Sequence, residues 1–239
     1  MTILYEDNHI IAVNKAVGEI VQADKTGDKP LSDQVKEYIK EKYNKPGDVF
    51  LGVTHRLDRP TTGVVLFART SKALVRLNDM FRSHDGIKKT YWAIVQGKPP
   101  VPGARLQNWL LRNEKQNKSY IVKENTISAE SRIDAKPSRL NKPQLAVLEY
   151  RTLAAGDNYS LLEVNLLTGR HHQIRCQLAA IGCPVKGDLK YGAKRSNPDG
   201  GICLHARRIE FIHPVSKQNI IIDAPAPNDN LWNSLTSKL

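Results

Sequence analysis

Apolar positions along the chain change their period several times, and each change marks an element. A short apolar run from Ile10 to Asn14 follows Glu6-Asp7-Asn8 and reads as a turn feeding a strand. Leu31, Val35 and Ile39 recur at helical spacing with Tyr38 beside them, which predicts a helix over 31–43 with Ser32 or Asp33 near its start. Gly63 to Ala68 is continuously apolar, as a strand buried on both faces would be. Thr70 and Ser71 offer an N-cap, and Ala73, Leu74, Leu77, Met80 and Phe81 follow at helical spacing. A further strand begins near Thr90 and runs through Val95.

Residues 112–145 are polar, rich in Lys, Asn and Ser, and read as loops and short strands, partly mobile. From Tyr159 the period of two returns, with Leu162, Val164 and Leu166 on one face. Thr168-Gly169-Arg170 breaks that strand. Ile174, Leu178 and Ile181 then give a helical face that Gly182 ends. Two more strands follow, about 202–212 and 219–223, the second stopped by Pro225 and Pro227. Strands come in runs with few helices between them, so the expected class is α+β: a large mixed, mostly antiparallel central sheet with flanking helices. No internal repeat is evident, and residues 1–239 are expected to form a single domain.

Composition narrows the partner class. The 239 residues carry a formal charge of +12, which draws polyanions; nucleic acid is the leading partner, ahead of an anionic membrane surface. Cys176, Cys183 and Cys203 are odd in number and lack metal-ligand spacing, so they read as free thiols in a reducing compartment. The N-terminus has no basic region ahead of a long apolar run. A cytoplasmic chain, monomeric and without a membrane span, is expected.

Four segments could carry chemistry. Thr54-His55-Arg56-Leu57-Asp58-Arg59-Pro60-Thr61-Thr62-Gly63 sits where a loop feeds the buried strand. On its own it reads as a surface turn, since Asp before Arg-Pro is a common turn starter. Its other reading is a carboxylate flanked by two arginines that keep it ionised, fit to act as nucleophile or base. Thr168-Gly169-Arg170-His171-His172-Gln173-Ile174-Arg175 joins a strand to a helix, a place that presents N–H groups to anions. It reads equally as a solvated basic helix start. Residues 170–208 hold eight Lys/Arg against two Asp, which suits a phosphate-backbone platform or an ordinary solvated face. Tyr91 is either core or a flat surface for an unstacked base. His55, His171 and His172 are not expected to bind a metal: adjacent histidines on a helix point apart, and no acidic ligand is near in sequence.

Taken in order, these segments resemble the RluA-type pseudouridine synthases. The resemblance runs through Tyr5-Glu6-Asp7, Ile11-Ala12-Val13-Asn14-Lys15 with Gly18, His55-Arg56-Leu57-Asp58 with Thr61 and Gly63, and Lys89 with Tyr91 and Ala93. It continues through Thr168-Gly169-Arg170 with His172-Gln173-Ile174-Arg175, Gly187-Asp188 with Tyr191-Gly192, and Leu204-His205-Ala206. It implies a mixed sheet with a central cleft and an isomerase acting on ribosomal or transfer RNA without metal or cofactor. It implies Asp58 as the essential carboxylate, Tyr91 as the residue that packs on the target base and takes its C5 proton, and Arg175 as the partner of Asp58. Arg56 would enter the RNA where the uridine is flipped, Leu204 would line the uracil pocket, and His55 and Arg170 would contact RNA. Loss of Arg175 is expected to slow the reaction steeply without unfolding the chain.

The sequence departs from the family pattern at Ala16, where a proline is usual, and at Pro60 and Thr62 after the aspartate; His171 replaces a common threonine. With no preceding RNA-binding module, recognition is expected to fall to the catalytic domain. The competing readings are a catalytically inactive RNA-binding protein of the same fold and a metal-dependent nuclease.

Overall fold

Ile10, Ile11, Ala12 and Val13 have no exposed surface, so strand β2 (Ile10–Lys15) is covered on both faces. β4 (Thr62–Ala68) pairs with it antiparallel and is buried from Gly63 onward, as its unbroken apolar run predicts. The computed structural model describes residues 1–123 and 142–239. Within the polar stretch read as loops and short strands, residues 124–141 lie outside the described residues.

The chain divides into two compact units. The first comprises Met1–Thr90 and Pro198–Pro227. Its strands β1 (Thr2–Glu6), β2, β4 and β10 (Leu204–Ile212) lie in that order, with β3 (Gly52–Val53) on β4 and β11 (Asn219–Asp223) on β10. Pairing is antiparallel except between β4 and β10, where His205 lies opposite Thr62 and Ala206 opposite Gly63 in parallel register. Helix α1 (Leu31–Lys42) buries Leu31, Val35 and Ile39, and α2 (Ser71–Ser83) buries Ala73 and Leu77 against residues of β2, β4, β10 and β11. Thr70 caps α2, its hydroxyl accepting the Ala73 N–H at 3.2 Å.

The chain passes to the second unit, Tyr91–Asn197 and Asn228–Leu239, within β5 (Ile87–Gln96). β9 (Tyr159–Leu166) neighbours β5, followed by β8 (Gln144–Ala155), β6 (Gly103–Asn113) and β7 (Lys118–Val122). β6 to β9 pair antiparallel. Helix α3 (Gln173–Ala180), a 3₁₀ turn at Leu189–Tyr191 and helix α4 (Asn230–Thr236) complete it. The fold is a strand-rich mixed α+β arrangement, as expected. Among the described residues no helix is long and apolar enough to cross a membrane.

The apolar pattern located β2, β4, α2, β9 and β11 closely, but β1, β3, β6, most of β8 and α4 were not anticipated. β1 is only half buried, and the burial of β6 alternates between exposed and partial over most of its length, so neither strand needs a clean apolar stripe. The three cysteines are buried free thiols.

Among the described glycines of the first unit, Gly63 leaves the least room for a side chain. It holds φ +113°, and a Cβ there would come within 2.3 Å of the Ala206 carbonyl oxygen and 2.6 Å of its nitrogen. No side chain can turn out of that contact, because the obstacle is backbone. Gly63→Ala is expected to cost at least about 3 kcal/mol, read as a lower urea midpoint. A midpoint equal to the parent's would contradict the close approach.

Candidate active site

Asp58 stands on a loop in which the four carbonyls from Asp58 to Thr61 each accept a hydrogen bond. Asp58 O accepts the Thr61 N–H at 3.0 Å, Arg59 O accepts from Gly18 N at 3.0 Å, and Pro60 O accepts from Ile202 N at 3.0 Å. Lys15 completes the set. Its side chain is almost fully buried at 1 % exposure, and Nζ donates to Ala16 O and Arg59 O at 3.0 Å and to Thr61 O at 2.7 Å. Burial pulls the ammonium down to about 8, opposed by the charges of Glu19 and Asp58. Three carbonyl acceptors suit the charged form, so Lys15 is a cation at neutral pH. A loop with its backbone saturated in this way cannot swing without breaking several bonds at once.

Side chains of the segment alternate. His55 turns in: its Nε2 accepts the Leu66 N–H at 3.0 Å, and its ring stacks on Phe81 at 4.6 Å. Arg56 is exposed, Leu57 is buried and Asp58 is partly buried. The two flanking arginines do not both serve the carboxylate. Arg59 turns away to Asp28 and to the Thr26 hydroxyl. Leu204 opens β10 at 5 % exposure, beside the same junction, and the Thr62 hydroxyl meets His205 Nδ1 at 2.8 Å.

The second unit holds Arg170, Arg175 and Tyr91. Thr168 Oγ1 accepts from Val147 N at 2.8 Å and donates to Gln173 Oε1 at 2.8 Å, which also accepts the Arg170 N–H at 2.9 Å. Gln173 Nε2 reaches Val147 O at 3.1 Å. His172 takes φ +52° as the N-cap of α3, so both histidines precede the helix. Their rings stack at 3.8 Å, contrary to the expectation that adjacent histidines point apart. The left-handed turn at His172 is the reason: helical side-chain directions do not apply there.

Arg175 is buried and grips Asp188 with two bonds, Nε to Oδ2 at 2.6 Å and Nη2 to Oδ1 at 2.9 Å. The Tyr191 ring lies under the guanidinium at 5.2 Å. Tyr191 OH accepts from Ser119 N at 2.8 Å and meets His172 Nδ1 at 3.1 Å, and burial raises its pKa strongly. Sequence reasoning missed Asp188 and Lys15 as supports. The signal for Asp188 was present, a carboxylate alone among the cations of 170–198, but only the fold pairs it with Arg175. Tyr91 is partly buried on β5, and Arg170 Nε donates to Leu145 O at 2.9 Å.

Residues 9–180 match the family model described as RNA pseudouridylate synthase. The chain belongs to the RNA pseudouridylate synthase family. Its RluA-type relatives include "tRNA pseudouridine synthase C" of Salmonella typhi, 33% identical over 251 residues covering 97% of this chain and 87% of the relative. "Ribosomal large subunit pseudouridine synthase D" of Zymomonas mobilis is 30% identical over 239 residues, covering 96% and 70%. Among solved structures, "Human RNA Pseudouridylate Synthase Domain Containing 4" superposes with a TM-score of 0.74 at 23% identity, covering 95% of this chain and 89% of that one, a likeness of fold. Membership in the RNA pseudouridylate synthase family makes the chain an RNA isomerase.

Two outcomes follow for stability. Removing one partner of the Arg175–Asp188 pair leaves the other buried without its counter-charge, so Asp188→Asn or Arg175→Ala is expected to cost about 3–5 kcal/mol in urea unfolding. Loss of Arg175 is therefore expected to lower stability as well as rate. Burial, helped by Lys89, lowers His55 from 6.5 to about 3, and burial lowers His205 to about 4. Both histidines are neutral when folded and gain protons on unfolding below about 6.5. Their contribution is complete above that pH and is lost as pH falls toward 4 and 3. The urea midpoint should drop between pH 7.5 and pH 5.5 (roughly one pH unit either side of the free histidine value), and less so in His55→Gln. An equal drop in both proteins would contradict this assignment.

Proposed function

We propose that this chain converts uridine to pseudouridine in a transfer or ribosomal RNA, with Asp58 as the reacting carboxylate. Family membership, and a loop that holds Asp58 by four satisfied backbone carbonyls, support this reading. The reaction breaks the N-glycosidic bond, turns the uracil, and joins its C5 to the same sugar carbon. Asp58 would act at C1′, at C6 or on a sugar proton; each route needs an ionised, oriented carboxylate.

Arg175 is assigned to keep Asp58 ionised. Tyr91 packs on the base and receives the C5 proton. Arg56, exposed on the rigid loop, enters the RNA in place of the flipped uridine. Leu204 gives the uracil an apolar wall, and Arg170 contacts the RNA. His55 acts from behind, holding the loop to β4 through Leu66. No metal or cofactor enters the scheme.

The test is tritium release from bulk transfer and ribosomal RNA labelled at uridine C5. The parent chain should release tritium. Asp58→Asn should lose at least about 1,000-fold in rate while keeping its urea midpoint and its RNA binding. Normal pseudouridine formation by Asp58→Asn would sink the assignment. A parent chain that binds RNA but releases no tritium from either class would favour the inactive RNA-binding reading.

A further inference from the structure

The second unit contains a pocket of about 110 Å³, of whose lining the scheme above uses only Arg170. Its floor is set by strand register. Arg112 on β6 lies opposite Ser119 on β7, and Leu110 lies opposite Gln144 on β8. Register partners share a face, as do residues two apart on one strand, so all four side chains project from one side of the sheet. The turn before α3 covers them. Ser119 Oγ meets His171 O at 2.7 Å and His171 Nδ1 at 2.9 Å, while the bond from Arg170 Nε to Leu145 O fixes that guanidinium at the pocket wall. Lys142 closes the side at the start of β8.

Three cations thus converge from three separate segments, and no carboxylate is among the lining residues. Arg112 Nε is buried and has no hydrogen-bond partner among the described residues. That guanidinium charge lacks full hydrogen-bond compensation, and an anion in the pocket that Arg112 lines would offset it. The volume is several times the roughly 30 Å³ share of one water, enough for a tetrahedral group. Guanidinium forks suit the two free oxygens of a phosphodiester.

We infer that this pocket, formed by Arg112, Lys142, Arg170, Ser119 and His171, holds one backbone phosphate of the RNA substrate. The inference rests on RNA being the substrate. The site reads no base, so it acts as an anchor that positions RNA of any sequence.

The test is the salt dependence of RNA binding. Fluorescein-labelled tRNA and an rRNA fragment are titrated with the full chain between about 50 and 200 mM KCl, and log K is plotted against log salt. Arg112→Gln should weaken binding to both RNAs alike and make the slope shallower by about 1, the loss of one phosphate contact. Lys142→Gln, on an exposed residue whose change cannot unfold the chain, should do the same, and Lys40→Gln on α1 should leave the slope unchanged. If the parent binds RNA and both pocket variants keep its slope, the pocket assignment is overturned and the proposed function stands. If the parent binds no RNA, both fall. Inorganic phosphate supplies the second arm: ³¹P line broadening that Arg112→Gln abolishes, with an unchanged RNA slope, would mark a free-phosphate site and overturn the RNA assignment.

Discussion

The close parallel approach of β4 to β10 at Gly63 and Ala206 governs the first unit. β4 leaves the Asp58 loop, and β10 begins with Leu204, so the contact sets both the carboxylate loop and the apolar residue assigned to the uracil. Only a residue without Cβ admits the Ala206 backbone at this distance. The adjoining Thr62–His205 bond and the Ile202–Pro60 backbone bond extend the seam on either side. The glycine five residues after Asp58 is thereby a packing requirement of the loop as well as a turn residue.

Each unit then buries charge in a place where hydrophobic residues would serve stability as well or better. Lys15 lies behind the Asp58 loop with three carbonyl acceptors, and Arg175 with Asp188 forms a buried pair braced by Tyr191. Buried ions are weak sources of net stability, because desolvation offsets most of their attraction. Their value here is geometric. Each holds its neighbours in one arrangement, and an alternative arrangement would strand a charge away from water. Segments proposed to present Asp58 and Arg175 at fixed orientations gain from that rigidity.

The motifs accordingly divide into presenting and supporting residues. In His55-Arg56-Leu57-Asp58, the first and third side chains turn inward and the second and fourth are the more exposed, the alternation of an extended segment. In Thr168 to Arg175, the threonine and glutamine tie the turn to Val147, while His172 supplies a left-handed residue and a bond to Tyr191. Two motif histidines that look catalytic by type, His55 and His205, are held by hydrogen bonds within the first unit. Burial keeps both His55 and His205 uncharged, which suits acceptors of backbone and hydroxyl hydrogen bonds better than acid–base work at neutral pH.

The sequence by itself determined the elements with strong period, such as β4 and α2, and the order of motifs from His55 to Leu204 that places the chain in its family. It also determined the +12 charge that makes a polyanion the expected partner. Half-buried strands such as β1 and β6 stayed hidden, because a strand exposed along one face needs no apolar rhythm. The tertiary structure alone decided which charges meet. Asp188 grips Arg175, Arg59 leaves Asp58 for Asp28, and Arg112 joins Lys142 and Arg170 around one pocket. Such pairings join residues 13 or more positions apart through strand register and turn conformation, and local composition carries no record of them: a charged side chain reads the same in sequence whether its partner is water or a carboxylate.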